Sequence, residues 1–200
     1  MAIKAIIWDF SGVIIKPRVP DPHAFLAREL GVDPVDFAKY FDGRENARMD
    51  LGEESENEYY DRIIREYNLK TRDVLQIFNR YFFDLFELNE TLLGFIRASR
   101  PRLKMALCSN FSSQLRSLLE KKWKIIADFD VLVISSEVKL LKPDARIYQL
   151  TLERLAVHPE EAIFVDDSKK NVEGARALGI PCILFQDDLA TLQEIARLTG

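Results

Sequence analysis

Asp9 closes an apolar run, Ala5-Ile6-Ile7-Trp8, and is followed by Phe10 and then by Ser11 and Gly12. A buried strand that ends in a carboxylate and a glycine turn carries an anionic oxygen to the carboxyl edge of a sheet, where open α/β folds bind ligands. Burying that charge is costly unless a cation or hydrogen-bond donors meet it. Other groups that fall where a strand gives way to a loop supply both. Ser109 and Asn110 end MALCSN just before a helical pattern, which offers a hydroxyl and backbone N–H groups to an anion. Lys142 lies in KLLKPDARIY ahead of the next helix, and Asp166-Asp167 close AIFVDD. Asn171 follows Asp167 by one helical turn, so its amide is expected to reach back to the same spot. Taken singly, Ser109 is an ordinary helix cap, Lys142 a solvated charge and the acid pair a partner for a helix dipole. Together they suit phosphoryl transfer, which wants an in-line nucleophile, a cation and positive donors around the phosphoryl oxygens. Three carboxylates at one edge repel unless a cation joins them, and hard oxygen ligands suit Mg²⁺.

The elements that must position these groups follow from periodicity. From about residue 102, RLKMALCSN, FDVLVISS, AIFVDD and PCILF read as strands. Between and after them FSSQLRSLLEKKW, DARIYQLTLERLAV, SKKNVEGARALG and DLATLQEIARLTG read as helices, the third closed by Gly179. Strands spaced by such helices predict right-handed βαβ units and a parallel sheet, which the opening strand joins. From Pro17 to Arg100 only helical periodicity is seen, in PHAFLAREL, PVDFAKYF, ENEYYDRIIREYN and RDVLQIFNRYFFDLF, with helix starts at Asp33-Pro34 and near Thr71. NETLLGFIRAS is expected to pack on the sheet. The predicted architecture is therefore α/β: a Rossmann-like parallel-sheet core from residues 1–16 and 89–200, with an inserted all-helical cap, residues 17–88, as a lid over the strand ends.

An apolar fraction of 48% is ample for a core, and 30% charged residues suit a solvated surface. A net charge of −4 and a pI near 5.4 argue against nucleic-acid binding. No apolar stretch is long enough to span a membrane, and no export leader is visible, so a cytoplasmic location is expected. Cys108 and Cys182 sit in predicted strands and read as buried thiols rather than a disulfide or metal pair. His158 reads as a helix-start residue and His23 as a surface histidine, with a place facing the site as its alternative. Lys16, Arg18, Arg44 and Arg48 either meet an anionic substrate from the lid or are ordinary surface charges, and the sequence does not choose between the two. The sequence leaves the substrate's identity and the oligomeric state open.

The segments WDFSGV, LCSN, LKPDARIY and FVDDSKKN, in this order and spacing, resemble the four motifs of the haloacid dehalogenase-like hydrolase superfamily over essentially the whole chain. The insert falls after the first motif, where one branch carries its cap. KPDARIYQ and VDDSKKNVEGARALGI look most like the sugar-1-phosphate phosphatases and the N-terminal phosphatase domain of soluble epoxide hydrolases. The resemblance implies a Mg²⁺-dependent phosphohydrolase of small phosphorylated metabolites. Asp9 would be the nucleophile that forms an aspartyl-phosphate. Ser109 and Asn110 would hold phosphoryl oxygens, with Lys142 balancing charge on Asp9 and the phosphoryl group. The metal would lie between Asp9, Asp167 and the main-chain carbonyl of residue 11, with Asp166 and Asn171 behind them.

This sequence departs from that pattern at Ser11. Most phosphatases of the family carry there a second aspartate, which protonates the leaving group and then activates water. A serine keeps the carbonyl ligand and loses the acid, a change expected to cost about 10²–10⁴ in rate. Dehalogenases of the family carry tyrosine at this place, and phosphonate-cleaving members alanine with a cap lysine; only Lys39 and Lys70 lie well inside the insert, and each reads first as a solvated surface charge. The glucose-1-phosphatase-like members also lack the second aspartate, which keeps a phosphatase in front. The alternatives are a dehalogenase- or phosphonatase-type hydrolase, or a regulatory module that binds metal and phosphate with little turnover.

Overall fold

The structure is a computed structural model that describes residues 2–41, 45–70, 77, 81 and 84–200. Its strands are β1 (Ala5–Trp8), β2 (Ile15–Pro17), β3 (Phe86–Leu88), β4 (Lys104–Ser109), β5 (Val131–Ile134), β6 (Ala162–Asp166) and β7 (Cys182–Leu184). Five of them form one parallel sheet in the order β5-β4-β1-β6-β7. The chain fills the left half first and then crosses β1 to the right, so the switch point lies at β1, where an open α/β sheet splays to form a ligand crevice.

All four residues of β1 are fully buried, because both faces of the strand are covered. Ile6 and Trp8 pack into one core with Leu92, Leu93 and Ile96, whereas Ala5 and Ile7 face another with Ile147, Tyr148 and Leu155. The flanking helices follow the expected patterns. They include α5 (Glu90–Ser99), α8 (Ala145–Leu155), α9 (Lys169–Arg176) and α10 (Asp188–Thr199). FSSQLRSLLEKKW forms a short α6 (Gln114–Ser117) that widens into a π-turn over Leu118–Lys122. FDVLVISS is shorter as a strand than expected, because Ser135–Val138 turns into a helix, α7. Gly179 lies past the end of α9 at φ +82°, its N–H bonded to Arg176.

Between β2 and β3 lie α1 (Pro22–Leu30), α2 (Pro34–Phe37), α3 (Ala47–Asp50) and α4 (Glu56–Glu66). Asp21 and Asp33 accept backbone N–H groups at the starts of α1 and α2, and Ser55 with Glu58 forms a capping box for α4. These helices have their own core around Leu26, Phe37, Tyr40, Tyr59 and Ile63. The expected helix RDVLQIFNRYFFDLF lies mostly outside the described residues.

The antiparallel pair β2–β3, which matches Ile15 to Leu88 and Pro17 to Phe86, corrects the expectation of helices alone from Pro17 to Arg100. Each strand has three residues, too few to show a period of two, and the partners are some seventy positions apart.

Candidate active site

β1, β4 and β6 end side by side. Trp8 is in register with Leu107 and Val165, so Asp9, Ser109 and Asp166 leave the sheet together at its carboxyl edge. Lys142 arrives from the loop before α8. Its Nζ donates to Asp9 Oδ1 at 2.6 Å and to Asp166 Oδ2 at 2.7 Å, and its side chain is 1% exposed. A buried cation between two buried carboxylates is tolerable only when hydrogen bonds complete the geometry. Here they do. Asp166 also accepts from the Ser168 N–H and, through both oxygens, from Asn171 Nδ2. The Asn110 side chain grips the Lys142 backbone on both sides, donating to its carbonyl at 3.0 Å and accepting its N–H at 2.7 Å.

Electrostatics follow from this burial. Burial alone would strip the Lys142 ammonium of its proton, but Asp9 and Asp166 outweigh that effect and hold its pKa above the ordinary lysine range. Burial pushes the Asp9 carboxyl up to about 7; Lys142 opposes this, while Asp166 and Asp167 add to it. Asp167 is likewise raised, by desolvation and by Asp166. Additional positive charge at this edge would keep Asp9 ionised.

Among the described residues, Asp9, Asp166 and Asp167 bring carboxylate oxygens within 4.8 Å of one another. Both Asp166 oxygens are engaged by protein donors, so Asp9 and Asp167 are the better-placed ligands of an all-oxygen set that fits a hard divalent cation. Gly12 makes room for this. At φ +83°, a Cβ there would lie 2.1 Å from Asp167 Oδ2. Ser109 is 1% exposed and its Oγ has no partner, so a buried hydroxyl stands ready for a ligand oxygen.

The site residues named from the sequence thus lie together, with two refinements. Asn171 serves Asp166 rather than Asp167. The Asn110 side chain supports the Lys142 backbone, and the helix after it starts at Gln114, not directly at the strand end. Ser11 is exposed and lines the cavity above the site. Sequence reasoning missed Gly174, where a Cβ would meet Pro143 at 2.7 Å and push α9 off the lysine loop. It also missed Ser135, fully buried, whose Oγ accepts the Phe111 N–H and donates to the Asp50 carbonyl at 2.5 Å. A serine pair directly after an apolar strand was the available signal.

A cavity of about 510 Å³ opens over the strand ends, lined by Ser11, Gly12, Asn110 and Asp167 on one side and by α3 and α4 on the other. Of the proposed lid cations, Lys16, Arg18 and Arg48 do not line it. Lys16 pairs with Asp188 and Arg18 with Glu87, while Arg48 is exposed and Arg44 lies outside the described residues. His23 does line it, stacked on Phe41 and bonded through Nδ1 to the Tyr81 hydroxyl, and burial holds its pKa below the usual value. Lys39 is occupied by Asp36 and Glu66. Cys108 and Cys182 are free thiols, and the His158 N–H donates to Glu161 at the start of a short helical turn. No helix of the described residues is long and apolar enough to cross a membrane.

A parallel sheet carries a carboxylate at the end of its central strand, and a buried lysine joins that carboxylate to Asp166 on the neighbouring strand. The family model for haloacid dehalogenase-like hydrolases matches residues 3–179, and the chain belongs to that family. The bifunctional epoxide hydrolase 2 of Sus scrofa is 25% identical over all of this chain and 39% of its own length. The phosphorylated carbohydrates phosphatase of Thermotoga maritima is 39% identical over 50% of this chain and 47% of its own. The chain spans less than half the length of these curated relatives. A magnesium complex of a HAD family enzyme from Bacteroides thetaiotaomicron shares the fold, with a TM-score of 0.80 at 22% identity over 96% of this chain and 99% of that one.

Proposed function

We propose that this hydrolase is a Mg²⁺-dependent phosphohydrolase of small phosphorylated metabolites, with residues 17–88 as its cap domain. The observation that carries the reading is the buried Asp9–Lys142–Asp166 clamp beside an unpartnered Ser109 hydroxyl. The phosphatases among the relatives and the magnesium complex of a structural neighbour support it. Asp9 and Asp167, with the Ser11 carbonyl, would hold the metal, which supplies Lewis-acid stabilisation of phosphoryl oxygens when bound.

The Asp9 carboxylate attacks phosphorus and the bond to the leaving oxygen breaks with its electron pair, which leaves a phosphoryl group on Asp9. Water then attacks that phosphorus, releasing inorganic phosphate and restoring the carboxylate. Ser109 Oγ donates to a phosphoryl oxygen, and the Lys142 ammonium balances the charge that builds there. Asn110 fixes Lys142 through its backbone, and Asn171 fixes Asp166 so that Lys142 is held from both ends. Ser11 brings no carboxylic acid, so the departing oxygen takes its proton from solvent, and poor leaving groups depart slowly.

Dehalogenase and phosphonatase chemistries find less support. The first leaves the Asp167 carboxylate without a cation, and among the described residues no lysine lines the cavity for the second. A low-turnover binding module is the second reading, favoured by the missing acid at Ser11. Wild-type protein is expected to hydrolyse an aryl phosphate with Mg²⁺, to stop on chelation and to ignore 2-haloacids. Metal-independent dehalogenation would overturn the proposal, and tight Mg²⁺ and phosphate binding without turnover would favour the module.

A further inference from the structure

The wall that the helical segment presents to the cavity is unusual in its charge. Asp50, at the end of α3, is 7% exposed, and Glu56 opens α4 nearby. Both line the cavity, and no lysine or arginine does so among the described residues. Burial and then Glu56 hold Asp50 up to about 7, and burial raises Glu56 against the opposing Ser112 hydrogen bond. Among the described residues neither carboxyl has a cationic partner of its own. Asp50 accepts from Asn46 Nδ2 at 2.9 Å, and Glu56 Oε1 accepts from Ser112, while Glu56 Oε2 and Asn46 Oδ1 are buried acceptors with no donor. His23 adds no charge near neutral pH, since burial favours its neutral form. Arg62, which packs on the Tyr40 and Tyr59 rings, is neutralised by Glu45 and Glu54 and does not line the cavity.

The rest of the wall is aromatic. Phe41, Tyr59, Tyr60 and Tyr81 line the same cavity, with Tyr59 near enough to feel the charge of Asp50 and Tyr60 that of Glu56. Ring faces and buried carboxylates together suit an organic ammonium, which gains from both and relieves the repulsion between the acids. A second phosphate or a carboxylate on the substrate would meet the opposite. The wall is also close to the reacting end of the site. Glu56 is bonded to Ser112, only three residues past Ser109, at most about 10 Å of extended chain. The Asp50 carbonyl is tied through Ser135 to the Phe111 N–H.

We propose that the cavity selects phosphate monoesters of amino alcohols: the phosphate sits at Asp9 and Ser109, and the ammonium sits against Asp50 and Glu56 among the tyrosine rings. This assigns a substrate class and rests on the phosphohydrolase reading. The buried acids are the specificity-determining residues, and the charge pattern from strand ends to helical wall matches a zwitterion.

The test compares choline phosphate with its uncharged isostere 3,3-dimethylbutyl phosphate and with glycerol phosphate, alongside an aryl phosphate, all with Mg²⁺. The ammonium ester should show a kcat/KM at least about tenfold above the isostere. Asp50→Asn combined with Glu56→Gln should bring that ratio towards one. Independently of turnover, choline should raise the melting temperature of the wild type and 3,3-dimethylbutanol should not. Aryl phosphate turnover with no preference for the ammonium ester and no shift with choline overturns the inference and leaves the hydrolase intact. Preference for glycerol phosphate overturns it in favour of a hydroxyl-rich substrate. Absence of all phosphatase activity defeats the underlying reading instead, and the choline shift then still supports or overturns the ammonium site.

Discussion

The strand-end site and the helical wall above it both bury carboxylates, yet they treat them in opposite ways. At the strand ends every oxygen of Asp166 has a donor, and Lys142 stands between Asp166 and Asp9. In the wall, burial and then Glu56 raise the Asp50 carboxyl, burial raises Glu56, and Glu56 Oε2 has no partner. The clamp of Asp9, Lys142 and Asp166 is satisfied within the protein and so is pre-organised. The wall is incomplete, and incompleteness of this kind is what a ligand resolves. On the proposed function, the difference separates what the chain would use to react from what it would use to choose.

Removing the clamp should have the largest effect. Lys142→Ala leaves Asp9 and Asp166 buried without their shared cation, which is expected to cost about 3–5 kcal/mol of stability. Loss of the phosphoryl-side charge should lower kcat by about 10²–10³ or more in the protein that remains folded. Urea unfolding and turnover of an aryl phosphate measure the two. A stable, active Lys142→Ala protein would erase the distinction between the regions.

The wall should respond in the other direction. Asp50 has a folded pKa of about 7 against an ordinary 3.8, so it binds its proton more tightly when folded. Stability that is fully present below about pH 4 is therefore lost as the pH rises through 7. Asp50→Asn should remove that loss, gaining up to about 4 kcal/mol at pH 8 and little at pH 4. Urea melts at the two pH values check this. Equal effects at both would show that Asp50 is not held against its charge.

Ser11 lies at the border of the two regions, exposed on the cavity side. Ser11→Asp restores a carboxyl where solvent gives it room. Turnover of simple alkyl phosphates should rise by up to about 10²-fold, with less change for aryl phosphates, so that the dependence on leaving-group pKa flattens. An unchanged slope in a well-folded Ser11→Asp protein that binds Mg²⁺ would point to another acid. His23 is a weak candidate, because burial keeps it neutral and Tyr81 occupies its Nδ1.

The sequence makes the strand-end site legible because each of its groups interrupts an apolar run. Asp9, Ser109 and Asp166 stand out against buried neighbours, and the alternation of strands and helices places them on one edge. The wall is not legible, since Asp50 and Glu56 occupy helical stretches rich in charge, where an acid reads as solvated. Lys16 and Arg18 mislead for the same reason. Their partners, Asp188 and Glu87, lie far along the chain, and only the folded pairing shows them engaged. The β2–β3 ladder escapes because a three-residue strand has no period to read, although the predicted insert boundaries at 17 and 88 fall on its last residues.

The central claim is covalent chemistry at Asp9, and the absence of an acid/base at Ser11 makes it directly observable. Without a residue to activate water, the aspartyl-phosphate formed from a good leaving group should hydrolyse more slowly than it forms. Mixing wild-type protein and Mg²⁺ with p-nitrophenyl phosphate should give a burst of nitrophenol close to one equivalent per chain. With the corresponding ³²P-labelled ester, acid-quenched protein should carry hydroxylamine-labile label on the peptide that contains Asp9, and Asp9→Asn should carry none. Turnover without a labelled Asp9, or label on a different residue, would contradict the account.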